Sequence, residues 1–278
     1  MQPVYEFGGE GTILNLALAN GFPPAIYRPM LEPLIDDYRV ISMVPRALWG
    51  EQPPETLLDW RDSVMGDLLQ GFRDHQMRDI VAVGHSFGGI ASLLAVIEEP
   101  ARFKTLILLD PTILTPDIFQ MITALREANM IDQMPLAARA IKRQRHFANP
   151  DEAFTYFWGR GIFADWSEEA VRLYIAEATY PTEYGLTLRW SPEWEAYYFK
   201  TGYTRIWEDL PKLRGFVPTL IIRGGTSDTY VMESAEQVKQ LLPEATHVEI
   251  EGHGHLFPHT NPTGTYQVIK DWLDQRGL

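Results

Sequence analysis

The chain has 278 residues, 45% hydrophobic and 22% charged, with a formal net charge of -13 at pH 7 and no cysteine. Its length and apolar content suffice for one large core with a smaller inserted unit beside it. The acidic balance argues against general nucleic-acid binding, which needs clustered Lys and Arg, and the lack of cysteine removes disulfides, thiolate catalysis and Cys-ligated metal.

Short runs of continuous hydrophobicity, rather than alternation, mark strands of a parallel sheet buried on both faces. In chain order, residues 4–7 offer only a short opening strand, too little for a full hairpin. Residues 12–19 form the first buried run and lead into the turn Asn20-Gly21-Phe22-Pro23-Pro24. A second run, 39–44, is followed by Pro45-Arg46-Ala47-Leu48-Trp49-Gly50, and apolar spacing of three and four then predicts a helix over 57–72. The third run, 79–83, passes into Gly84-His85-Ser86-Phe87-Gly88 and a helix over 90–97. The fourth, 104–109, ends at Asp110.

The alternation then stops near Pro111 and resumes near Val217. The stretch between reads as helices and loops with no convincing buried strand. Nearly half of all aromatic side chains fall between Phe154 and Trp207, including five of the eight Trp. Such density suits either a helical subdomain's own core or an aromatic pocket. Trp158, Trp166 and Trp190 are the candidates for lining that pocket. Strands over 219–223 and 247–250 and helices over 235–242 and 266–273 close the chain. Strand alternating with helix predicts an α/β fold, a mostly parallel open sheet with helices on both faces. The expected organisation is a core domain from residues 1–111 and 217–278 and an inserted helical cap from 112–216.

The strongest chemical signal is Asp-Ile-Val-Ala-Val-Gly-His-Ser-Phe-Gly-Gly over residues 79–89. A buried strand runs directly into Gly-x-Ser-x-Gly and then a helix of small residues, which is the setting of a nucleophile elbow with Ser86 at its apex. On these residues the chain resembles the α/β-hydrolase superfamily, its serine-nucleophile branch with a helical cap, over nearly the whole length outside the insertion. The resemblance implies a chain order of Ser, then acid, then His. Glu251-Gly252-His253-Gly254-His255 looks like the loop that carries the base, with His255 the match and His253 and His259 its competitors. Arg223-Gly224-Gly225-Thr226-Ser227-Asp228 follows the penultimate strand, where relatives commonly place the acid. Asp228 is therefore the expected acid, and Asp110 the alternative. The turn after the first strand resembles the oxyanion loop, so the backbone N–H groups of Phe22 and Phe87 are the expected oxyanion donors. Asn20 departs from the pattern, standing where many relatives have His.

These features imply a cofactor-free, carboxylesterase-like hydrolase for a small to medium hydrophobic substrate. Lactonase, amidase, acyltransferase and carbon-carbon bond hydrolase chemistries share the same constellation, and a ligand-binding or regulatory protein on a hydrolase fold is the alternative from another class. No metal site is expected, because the His253-x-His255 pair lacks a third ligand. No apolar run approaches the roughly 20 residues that span a bilayer, so a cytoplasmic protein without a membrane partner is expected.

Overall fold

The computed structural model describes residues Met1–Leu278. Its strands are β1 (Val4–Gly8), β2 (Thr12–Ala17), β3 (Tyr38–Met43), β4 (Ile80–His85), β5 (Phe103–Leu109), β6 (His146–Phe147), β7 (Thr179–Thr182), β8 (Gly185–Leu188), β9 (Thr219–Gly224) and β10 (Thr246–Ile250). Seven of them make the main sheet in the order β1-β3-β2-β4-β5-β9-β10. Only β1 runs antiparallel, pairing with the edge of β3. The other pairings are parallel. All six residues of β4 are buried, as two-sided burial requires of a run without alternation.

The helix expected over 57–72 begins later, at Val64–Asp74. Its predicted first turns are held by the insertion instead: Leu58 N–H donates to Tyr197 Oη at 3.1 Å, Trp60 Nε1 to Thr201 Oγ1 at 3.2 Å, and Arg61 pairs with Asp209 at 2.9 Å. These tertiary bonds outweigh a modest helix propensity. Between β5 and β9 the chain forms the helices Pro116–Glu127, Pro135–Ala140, Pro150–Phe157, Glu168–Ala178, Pro192–Thr201 and Ile206–Asp209. It also forms a three-stranded antiparallel sheet, β6-β8-β7. This sheet adds short, mostly unburied strands to a segment whose sequence shows no convincing buried strand. Its strands are only two to four residues long, too short to show a period-two pattern. No helix is long and apolar enough to cross a membrane.

Two glycines allow the elbow to seat against the sheet. A Cβ on Gly84 would meet the backbone of Gly88 and Gly89, and one on Gly88 would collide with the carbonyl of Ala17. Backbone atoms cannot rotate aside as a side chain can. Gly88→Ala is therefore expected to lower the unfolding free energy by roughly 1–3 kcal/mol, read as a fall in urea midpoint at unchanged slope. An unshifted midpoint would contradict this packing.

Candidate active site

β4 reverses into the helix Phe87–Glu98 through a single residue, Ser86, at φ 57° and ψ -121°. A non-glycine residue holds such a conformation at a cost of roughly 1–3 kcal/mol. Hydrogen bonds fix it: Ser86 N–H donates to Leu109 O at 2.9 Å, and Ser86 O accepts from Gly89 N–H at 3.0 Å and Thr112 N–H at 3.3 Å. The turn leaves the Ser86 hydroxyl at the N-terminal end of the helix, where the helix dipole favours negative charge.

Ser86 Oγ lies 2.9 Å from His255 Nε2, and His255 Nδ1 lies 2.7 Å from Asp110 Oδ2. A carboxylate can only accept, so Nδ1 carries the hydrogen and Nε2 faces Ser86 as an acceptor. Asp110 is fully buried at the end of β5. Its carboxylate also accepts from Gly224 N–H at 2.7 Å and from Ser227 Oγ–H at 2.5 Å, which compensates the burial of a charge.

Asp228 does not reach His255, and the expectation that it is the acid partner is corrected here in favour of Asp110. Its side chain is exposed and accepts only a bond from Thr229 Oγ1 at 3.3 Å. The tight turn closed by Ser227 N–H on Gly224 O at 3.0 Å points Ser227 inward and leaves Asp228 outside. Ser227 is a site residue that sequence reasoning missed. Its only signal is a small hydroxyl residue in the loop after β9.

The competing histidines lie elsewhere. His253 Nδ1 is 3.0 Å from Thr260 Oγ1. His259 is buried against Phe22, Tyr27 and Trp166, with ring centroids at 5.3, 4.4 and 4.9 Å. Burial, reinforced by its histidine neighbours, holds it well below the usual imidazole range. His85, fully buried, is held down to about 3 chiefly by burial. No group of three or more His, Cys, Asp or Glu side chains converges as a metal site.

Of the two expected oxyanion donors, Phe87 N–H is the first of its helix and has no intrahelical acceptor. Phe22 N–H closes a turn onto Ala19 O at 3.2 Å, with Gly21 at φ 88°. Asn20 ties this turn to the insertion, its Nδ2 donating to Glu195 O at 3.0 Å. The buried Glu195 carboxylate packs against Gly21 and pairs with Arg143 at 2.6 Å. Aromatics of the insertion cover both donor residues: Trp166 and Tyr174 pack on the Phe22 ring at 6.1 and 5.8 Å, and Trp190 and Tyr198 on Phe87 at 6.4 and 5.0 Å. Trp158 is not among them. It is 41% exposed and stacks on Phe154 at 5.1 Å.

Compared with known proteins, residues 16–268 match the model of the alpha/beta hydrolase family. The type I acyl-CoA thioesterase mpaH of Penicillium brevicompactum is 35% identical over 107 residues, which is 34% of this chain and 24% of that protein. The chain thus matches about a quarter of that relative's length. The 2-(acetamidomethylene)succinate hydrolase of Mesorhizobium japonicum is 23% identical over 256 residues, 90% of this chain and 84% of that one. Among solved structures, E-2-(acetamidomethylene)succinate hydrolase is similar with a TM-score of 0.79 at 20% identity, covering 98% and 94% of the two chains. A thermophilic esterase from Thermogutta terrifontis is similar at 0.66 and 21% identity, covering 98% and 93%. At these identities the structural likenesses speak to the fold.

Proposed function

This chain belongs to the alpha/beta hydrolase family, and we propose that it is a serine hydrolase cleaving an ester, or a related acyl bond, of a small to medium hydrophobic substrate. The observation that carries the reading is the unbroken line from Ser86 Oγ through both nitrogens of His255 to the buried carboxylate of Asp110. In the proposed reaction Ser86 Oγ attacks the carbonyl carbon while His255 Nε2 takes its proton, and Asp110 stabilises the imidazolium that forms. The carbonyl oxygen gains negative charge as the tetrahedral intermediate forms. Phe87 N–H stabilises that oxygen, and Phe22 N–H contributes by sharing its hydrogen between Ala19 O and the oxyanion, since a 3.2 Å turn bond is long enough to bifurcate. The intermediate collapses to the acyl-enzyme as the imidazolium protonates the leaving alkoxide. His255 then takes a proton from water as its oxygen attacks the acyl carbon, and returns that proton to Ser86 Oγ as the Oγ–carbon bond breaks and the acid leaves. Residues 112–216 serve as the cap over this centre, and their aromatics around Phe22 and Phe87 favour an apolar substrate.

A fluorophosphonate probe, with the adduct located by peptide mass, tests the nucleophile. Stoichiometric labelling confined to Ser86 is the expected result, and folded protein that refuses the probe would favour a binding protein on a hydrolase fold. Turnover of p-nitrophenyl esters of increasing chain length, assayed beside thioesters, lactones and amides, sorts the bond type. Uniform failure across that panel would end the hydrolase reading.

A further inference from the structure

Three separate stretches meet at Ser86: the turn after β2, the elbow after β4 and the loop after β10. Two buried side chains outside the triad join all three. Ala19 N–H donates to Tyr27 Oη at 3.1 Å, Tyr27 Oη lies 2.8 Å from His85 Nδ1, and His85 Nε2 lies 3.0 Å from the carbonyl oxygen of His255. Tyr27 and His85 are both without solvent exposure.

The direction of every bond follows from the ends. The carbonyl of His255 can only accept, so His85 Nε2 carries the hydrogen. In a neutral imidazole Nδ1 must then accept, so the Tyr27 hydroxyl donates to it. The Tyr27 oxygen is left free to accept from Ala19 N–H. Each member is satisfied in this arrangement, and reversing the imidazole tautomer would set two acceptors against each other at His255. Protonation of His85 would instead set two donors against each other at Tyr27, and burial disfavours that charged form.

We propose that Tyr27 and His85 are positioning residues whose hydrogen-bond relay holds the His255 main chain and the oxyanion turn in one fixed relation to Ser86. The proposal rests on the serine-hydrolase reading. At one end the relay fixes the residue whose imidazole touches both Ser86 and Asp110. At the other it fixes the Ala19 residue, whose carbonyl receives Phe22 N–H. His85 itself is bonded in sequence to Ser86, and its ring centroid is 5.2 Å from that of His255. Neither side chain is placed to bind substrate, since both are enclosed, so losing the relay should slow chemistry rather than weaken binding. Displacement of reacting groups by about 1 Å is enough for losses on the order of 100-fold.

The test measures kcat and KM for wild type, Tyr27→Phe, His85→Leu and the double variant on the best aryl ester, with thermal unfolding of each. Tyr27→Phe keeps the ring packed against His259 and His85 and removes only the hydroxyl, so it decides the matter if His85→Leu fails to fold. The expected result is a fall in kcat of roughly 10- to 100-fold with KM within about threefold of wild type. The double variant should be no worse than the poorer single variant, because both break one chain. His85→Gln, whose amide both donates and accepts, should recover part of the activity lost in His85→Leu. Wild-type kcat in folded Tyr27→Phe, or losses that multiply and fall mainly on KM, would overturn the relay while leaving the hydrolase reading intact. A wild type that neither labels at Ser86 nor turns over any ester would remove both readings together.

Discussion

Ser86→Ala and His255→Ala should each lower kcat by about a million-fold, the scale at which loss of a triad nucleophile or base leaves only binding and oxyanion contributions. Both variants should stay folded. Ser86 Oγ contributes one hydrogen bond, to a His255 side chain that is itself 20% exposed. The same assignment predicts the shape of the pH profile. An imidazolium at His255 cannot accept the Ser86 proton, so kcat/KM should fall on the acid side. The limb should contain one titration. Burial holds both His85 and His259 below the usual imidazole range, so neither is the expected source of that limb. The measurement is kcat/KM from pH 4 to 9 on an aryl ester. A limb with slope two, or substantial activity in His255→Ala, would displace His255 as the base. His253 would then have to leave Thr260 to take its place.

The second large effect separates two aspartates. Asp110→Asn is expected to cut kcat by about 10,000-fold, because an amide at this position can present a donor to His255 Nδ1 and favour the wrong tautomer. It should also lose stability, by roughly 1–3 kcal/mol, since Gly224 N–H, Ser227 Oγ–H and His255 Nδ1–H all converge on the buried carboxylate. Asp228→Asn should leave kcat within about twofold, because its exposed side chain meets only Thr229. Steady-state kinetics on the paired variants decide between the two carboxylates. A collapse of activity in Asp228→Asn with Asp110→Asn spared would require a loop after β9 rearranged from the one seen here.

The two aspartates also illustrate how far the residues could be read unaided. Asp110 directly follows β5 and Asp228 lies in the loop after β9, so each comes soon after a buried strand and neither position alone names the acid. What separates them is that β5 lies directly beside β4, the strand carrying Ser86, and that the Gly224 to Ser227 turn puts a hydroxyl inward and the next carboxylate outward. The Trp residues behave alike: nothing in composition distinguishes the exposed Trp158 from the buried Trp166 and Trp190. Tyr27 and His85 gave no spacing signal either, because a buried hydrogen-bond chain links residues that are distant in sequence and need share no period.

By itself the sequence determined the architecture and the elbow, since both are written in contiguous residues. Continuous apolar runs specify strands buried on two faces, and Gly-His-Ser-Phe-Gly between such a strand and a small-residue helix specifies the turn at Ser86. Tertiary structure alone decided which carboxylate meets His255, where the helix after residue 57 begins, and which aromatics cover Phe22 and Phe87. Those outcomes depend on strand order and on contacts such as Asp110 with His255, 145 residues apart, and Arg61 with Asp209, 148 apart, and a side chain's long-range partner leaves no mark on its neighbours in the chain.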